Sequence, residues 1–115
     1  MKVAVIGSRN LLVDKLERYL PDGTDEIVSG GARGIDSCAR EYALANGIKY
    51  TEFTPDYKRY GRGAPLKRNI TIIEHSDIVC AFWDGVSTGT KFVIENAKKM
   101  GKPVKIFMVQ PKIPQ

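Results

Sequence analysis

Three short segments carry most of the chemical potential of this chain: Gly7-Ser8-Arg9-Asn10, Ser29-Gly30-Gly31-Ala32-Arg33-Gly34-Ile35-Asp36 and Asp84-Gly85-Val86-Ser87-Thr88-Gly89-Thr90. Each combines glycine, which lets backbone N–H groups approach a ligand closely, with hydroxyl or guanidinium donors. That combination suits a bound anion, phosphate above all. Arg9 adds a planar donor fork for phosphate or carboxylate. Ser87, Thr88 and Thr90 place hydroxyls where a helix begins, a natural pocket for phosphate or ribose. Two common nucleotide signatures are absent: the first segment lacks Gly-x-Gly-x-x-Gly, and no Gly-Lys-Ser/Thr follows the second.

Other chemistries fit less well. Two cysteines and a single histidine fall short of the four Cys or His ligands of a structural zinc site, so no metal is expected. Cys38 falls on an apolar helical stripe and Cys80 in an apolar strand, which places both thiols in the core. His75 closes a helix, where a cation suits the macrodipole. A receiver domain would need acids after its first strand, where this chain has Gly7-Ser8-Arg9. Asp36 and Asp84 are the acids at the ligand edge, and Asp36 also complements the dipole of its helix. Trp83 reads as a residue that closes the core.

The loops need elements to hold them, and the apolar pattern supplies these in alternation. Short β-branched or apolar runs mark strands at Val3–Ile6, Glu26–Ser29, Ile48–Phe53, Ile78–Trp83 and Val104–Val109. Helical spacing joins Leu12, Leu16, Tyr19 and Leu20, with Pro21-Asp22-Gly23 as the stop. It recurs at Ile35, Cys38, Ala39, Tyr42 and Ala43 up to Asn46-Gly47, at Leu66, Ile70 and Ile73, and at Gly89, Val93, Ala97 and Met100. Thr54–Pro65 reads as one long irregular segment, the kind of loop that is usually functional. Strands alternating with helices predict an α/β fold: a single Rossmann-like three-layer domain over residues 1–110, with a parallel sheet of about five strands and a tail at 111–115. In such sheets ligands bind beyond the carboxyl ends of the strands, where strand order reverses. The three loops lie there.

Composition agrees. At 115 residues the chain suits one domain of common size. No apolar run approaches the roughly 20 residues of a membrane span, and the N-terminus lacks the regions of a signal peptide, so a cytoplasmic protein without a membrane partner is expected. Lys and Arg number 18 against 13 Asp and Glu, a formal charge of +5, which permits a phosphate-bearing partner. Thr54–His75 concentrates Lys58, Arg59, Arg62, Lys67 and Arg68 around Tyr57 and Tyr60. From Lys98 onward the chain carries lysines and no acid.

Taken together, Gly7-Ser8-Arg9, the Ser29–Asp36 turn, Leu66-Lys67-Arg68-Asn69 and Ser87-Thr88-Gly89-Thr90 resemble the SLOG superfamily, which groups DNA-processing protein A with the Lonely Guy phosphoribohydrolases. The similarity is greatest to the small, single-domain YspA-type members. The resemblance implies a Rossmann-like fold, a pocket for nucleotides or nucleotide-derived molecules, and self-association into a homo-oligomer. Gly7, Ser8 and Arg9 match the first loop, and Gly30, Gly31 and Gly34 match the second. Arg68 matches the arginine preceding the fourth strand in the phosphoribohydrolases. Gly89 and Thr90 match the Gly-Thr of their Pro-Gly-Gly-x-Gly-Thr-x-x-Glu motif. That motif sets its catalytic carboxylate three residues after the threonine, where this chain has Val93. The stretch from Asp84-Gly85 to Gly89-Thr90, with Gly101-Lys102-Pro103-Val104, is also similar to nucleoside deoxyribosyltransferases, and Val93 breaks that match too. Glu95 lies roughly 200° away around the helix. Covalent N-glycosidic cleavage needs a carboxylate nucleophile and the water-based route a base near the sugar, so no catalytic residue is assigned.

The expected function is binding of a nucleotide or nucleotide-derived ligand, as a sensor or carrier, without a bound cofactor. Its candidate residues are Gly7, Ser8, Arg9, Gly30, Gly31, Arg33, Gly34, Arg68, Asp84, Ser87, Thr88, Gly89 and Thr90. Two alternatives stand beside it. One is an N-glycosidase acting on nucleoside monophosphates. The other is a binder of single-stranded nucleic acid, because Ser29–Asp36 and Ala39–Gly47 are similar to DNA-processing protein A. The basic, tyrosine-bearing Thr54–His75 segment reads either as a lid over a small ligand or as a groove for a strand. Replacing Arg9 or Arg68 by alanine is expected to weaken ligand binding and leave the melting temperature of the free protein almost unchanged.

Overall fold

In the computed structural model, which describes residues 1–110, five strands form one all-parallel sheet: β1 (Lys2–Gly7), β2 (Glu26–Ser29), β3 (Lys49–Glu52), β4 (Ile78–Trp83) and β5 (Val104–Met108). Their order is β3-β2-β1-β4-β5. The expected tail at 111–115 lies outside the described residues. Strand β1 is central, paired with β2 from Lys2 opposite Glu26 and with β4 from Val3 opposite Ile78 to Gly7 opposite Phe82. Alternation along a strand sends successive side chains to opposite faces. Val3 and Val5 therefore enter one apolar layer, with Ile27, Cys80, Phe82 and the helix α1 (Ile35–Ala45). Ala4 and Ile6 enter the other, with Val28, Val79, Ala81 and the helices α3 (Ala64–His75) and α4 (Thr88–Lys99). Because both faces are covered, β1 and β4 read as unbroken apolar runs rather than alternating ones. This is the Rossmann-like three-layer architecture expected from the alternation of elements.

The structure departs from the sequence reading in two places. No α-helix follows β1. The chain from Ser8 to Asp25 wraps over the sheet with a single 3-10 turn at Leu16–Arg18. Leu11 and Leu16 are the buried apolar residues there, five positions apart, and Leu12 is 54% exposed. That spacing is not a helical face, and Lys15 adopts left-handed backbone with φ 55°, which ends any helix. Tyr19 anchors the wrap through edge-on contacts with Phe82 and Phe107 at 5.2 and 5.0 Å. A helix this short needs a packed apolar face to form, and here the packing chose separate anchors instead.

The second departure is in Thr54–Pro65, which is not irregular throughout. Asp56 accepts a hydrogen bond from the Arg59 N–H at 3.2 Å and opens a single helical turn, α2 (Tyr57–Tyr60). A 3-10 turn at Gly61–Gly63 leads into α3, which starts at Ala64, ahead of Leu66. Pro65 fits this start because the first helical turn has no use for its missing N–H. Among the described residues, no helix is long and apolar enough to cross a membrane.

Candidate functional site

The chain leaves β1 for β2 on one side and later returns to β4 on the other, so strand order reverses between β1 and β4. Beyond the carboxyl ends of these two strands opens a cavity of about 420 Å³. Ile6, Ile72 and Val93 supply apolar wall. Gly7 to Asn10 enter from the wrap after β1, Ala32 and Asp36 from the start of α1, and Pro65, Leu66, Arg68 and Asn69 from α3. Asp84, Ser87, Gly89 and Thr90 enter from the turn between β4 and α4. Of the candidate residues, Gly7, Ser8, Arg9, Arg68, Asp84, Ser87, Gly89 and Thr90 thus line one cavity. Gly30, Gly31, Arg33, Gly34 and Thr88 do not line it.

The turn into α4 is held from three directions. One oxygen of the Asp84 carboxylate accepts the N–H groups of Val86 at 2.9 Å and Ser87 at 2.8 Å. The Trp83 indole donates to the Ser87 carbonyl at 3.0 Å, which gives this half-buried tryptophan a polar task beside its core packing. Ser87 caps the helix by accepting from the Thr90 N–H. The backbone donors of Ser87 and then Val86 hold the Asp84 carboxyl below the usual carboxylate range, with Asn10 and Ser8 acting weakly in the same sense. Such a group is an ionised acceptor near neutral pH and a weak general base.

Two features of this helix start point outward. A Cβ built on Gly89 would meet nothing within 4 Å, so the backbone of the first turn stands open to the cavity. Ser8 is 2% exposed, and its Oγ is the one buried side-chain polar atom with no partner at hydrogen-bond distance among the described residues, its interaction with the Asp84 carboxylate being a longer and weak one. A buried hydroxyl left unpaired costs about 1–3 kcal/mol. Partly positive N–H groups and the Ser8 hydroxyl offer donors to an anion, against which stands the Asp84 carboxylate of the same turn, its Oδ1 already taken by the Val86 and Ser87 N–H groups.

The other candidate glycines answer to packing. A Cβ on Gly7 would fall 2.6 Å from both the Ile35 side chain and the Phe82 carbonyl. One on Gly34, at φ +74°, would strike the Ser8 and Arg9 carbonyls at 2.7 and 2.5 Å. Gly30 makes room for Arg68, whose Nη1 would lie 2.6 Å from such a Cβ. Nη1 of Arg68 donates to the carbonyls of Gly30 at 2.8 Å and Phe53 at 3.4 Å, and Nε donates to Asn69 Oδ1 at 2.9 Å. The half-buried guanidinium, its acidity raised by desolvation and countered by Asp36, therefore ties the ends of β2 and β3 to α3. Arg9 is exposed at the rim.

Asp36 is the residue whose part the sequence understated. Its side chain is buried at 6% exposure in the cavity wall, where it accepts the Ala32 N–H at 3.2 Å. Burial pushes its carboxyl up, while the Ala32 N–H and the Arg68 charge pull the other way. Ser29-Gly30-Gly31 ahead of it was the available signal, since small residues at a strand end leave the following helix turn in contact with whatever lies beyond the sheet. Leu66 and Asn69 entered the sequence reading only within the Leu66-Lys67-Arg68-Asn69 segment and Pro65 only as the end of a loop, because helical spacing reports the core face and not the end of the helix. Val93, which stands at the carboxylate position of the phosphoribohydrolase motif, is 3% exposed and presents an apolar wall. Glu95 is on the outer face of α4, 3.8 Å from Lys91.

The comparisons with known proteins bear on the first half of this arrangement and on the whole. The YspA, cpYpsA-related SLOG family matches residues 1–60, from β1 through β3 into α2. The Gene 61 protein of Mycobacterium phage D29 is 34% identical over 125 residues, spanning 96% of this chain and 98% of the relative. No solved structure matches the chain significantly.

Proposed function

The chain belongs to the YspA, cpYpsA-related SLOG family, and from that premise we propose that it binds a nucleotide or nucleotide-derived small molecule between β1 and β4, as a sensor or carrier. The superfamily gives the general class of ligand. The observation that carries the reading to this cavity is the unpartnered Ser8 hydroxyl beside the open Gly89 turn of α4. A phosphate seated there would meet N–H groups already oriented by the helix, and it would give the buried Ser8 Oγ an acceptor. Leu66 and Pro65 offer apolar surface toward the mouth of the same cavity, suited to the face of a base. Val93 favours binding over glycosidic cleavage, because it supplies no nucleophile at the position of the motif's carboxylate.

A thermal-shift screen against nucleoside mono- and diphosphates, cyclic nucleotides, NAD and ADP-ribose tests the reading. A ligand at one hundred times its Kd stabilises the fold by roughly 2.7 kcal/mol. Gly89→Ala ties the response to the site. In the free protein the new methyl has open space and replaces a poor helix former, so stability should rise by up to about 1 kcal/mol. The ligand-induced shift should shrink at the same time. No shift with any of these ligands, or a shift untouched by Gly89→Ala, counts against this site.

A further inference from the structure

The polar groups of the cavity are not distributed evenly. The anion donors belong to the start of α4 and Ser8, and the exposed apolar surface to Leu66, itself 46% exposed. The lining also holds a carboxylate, Asp36, which is buried, accepts the Ala32 N–H at 3.2 Å and interacts as well with the Ser29 hydroxyl, the Gly30 N–H and the Arg68 charge. An ionised carboxylate has about four acceptor positions, so beside these partners it can still take one donor from the cavity that it lines. A second phosphate would be repelled there. An apolar base would leave that last acceptor position unfilled, which is costly for a buried carboxylate. A hydroxyl donor satisfies it.

Resting on the nucleotide reading above, we infer that Asp36 accepts a hydrogen bond from the sugar hydroxyls of the ligand and so selects ribose-bearing ligands over deoxygenated ones. The lining holds a group suited to each part of a nucleotide: donors at the α4 start for phosphate, Asp36 for sugar hydroxyls and Leu66 for a base. Arg68 does not substitute as the sugar-reading group, because Nη1 and Nε already serve Gly30, Phe53 and Asn69. The same selection disfavours a DNA strand, whose sugars lack the 2′-hydroxyl.

Calorimetric titration of the unaltered protein with AMP, GMP, CMP and UMP, with their 2′,3′-dideoxy counterparts, with ADP-ribose and with inorganic phosphate is the test. The expected result is that at least one ribonucleotide binds and its dideoxy counterpart binds at least tenfold more weakly. Asp36→Asn should then erase most of that difference while leaving dideoxy binding unchanged. Equal binding of a ribonucleotide and its dideoxy counterpart overturns the Asp36 assignment and leaves the nucleotide reading standing. So does a full discrimination that survives in Asp36→Asn. If no mononucleotide binds, the inference falls; ADP-ribose binding in the same series keeps the broader reading, and silence from every probe removes both. The dideoxy comparison needs no variant, so a poorly folded Asp36→Asn protein does not rescue the idea.

Discussion

Arg9 and Arg68 look equivalent as members of a basic set, yet their surroundings give them different work. The Gly30 carbonyl is buried and receives Arg68 Nη1 at 2.8 Å, with Phe53 sharing the same nitrogen. Removing that side chain strands a buried acceptor, a loss of about 1–3 kcal/mol. Arg68→Ala should therefore lower the urea midpoint of the free protein clearly, and Arg68→Lys should recover little, because an ammonium cannot reproduce the planar fork. Arg9 is exposed, so Arg9→Ala should stay within about 0.5 kcal/mol of the parent. The expectation that both replacements leave the melting temperature almost unchanged is therefore kept for Arg9 and revised for Arg68. Equal midpoints for the two variants would contradict the tie between the strand ends and α3.

Among the elements, the junction of β2, β3 and the end of α3 holds an ionic cluster away from the cavity. Glu26, 4% exposed, accepts from Thr51 at 2.8 Å and meets His75 Nε2 at 2.9 Å and Lys49 at 3.4 Å. Burial by itself raises its pKa, but the bonds from Thr51, His75 and Lys49 outweigh that and bring the carboxyl down to about 2. The sign follows from linkage: a folded-state value below the ordinary 4.5 favours the folded protein above that pH and loses its contribution as pH falls toward 2. Denaturant midpoints should therefore be insensitive to Glu26 ionisation near pH 6 and drop between pH 4.5 and 2. Glu26→Gln should cost about 1–2 kcal/mol near neutrality and flatten that acid limb. An unchanged acid limb in the variant would assign the acid sensitivity to other carboxylates. His75, read from sequence as a helix-end cation, has this partner because α3 delivers it against β2, and no local pattern announces that.

For the molecule as a whole, the question is whether the basic Thr54–His75 segment receives a strand or closes over a small ligand. Tyr60 is already engaged: the Arg59 guanidinium lies 5.3 Å and the Lys67 ammonium 5.7 Å from its ring centroid. Arg68 is committed to the strand ends. Fewer cations and fewer aromatic faces are left for a strand than the sequence count suggests. Oligonucleotide titrations at two salt concentrations should accordingly give a shallow dependence, about the −0.7 expected for one phosphate contact. Tight binding with a slope several times steeper would support the groove and displace the lid.

Strand positions were legible because a parallel sheet covered on both faces demands unbroken apolar runs; Glu26–Ser29 and Ile78–Trp83 are bounded in the structure as they are in the pattern. The helices α1 and α4 were legible because each buries one stripe against that sheet. The α/β class and the sheet edge to search followed from the alternation of these elements alone. What was not legible depended on contacts between residues distant along the chain. Leu12, Leu16, Tyr19 and Leu20 have helical spacing, but burial in space fell to Leu11 and Leu16, and the helix did not form. Gly30 and Gly34 resemble a phosphate loop in sequence, yet one makes way for Arg68 and the other for the Ser8 and Arg9 carbonyls. Asp36 acquires its buried, cavity-facing place from the meeting of β1, α1 and α3. Local periodicity reports which face of an element is apolar; only the packed chain decides which polar groups are left facing one another across a gap, because that depends on distances no spacing along the sequence encodes.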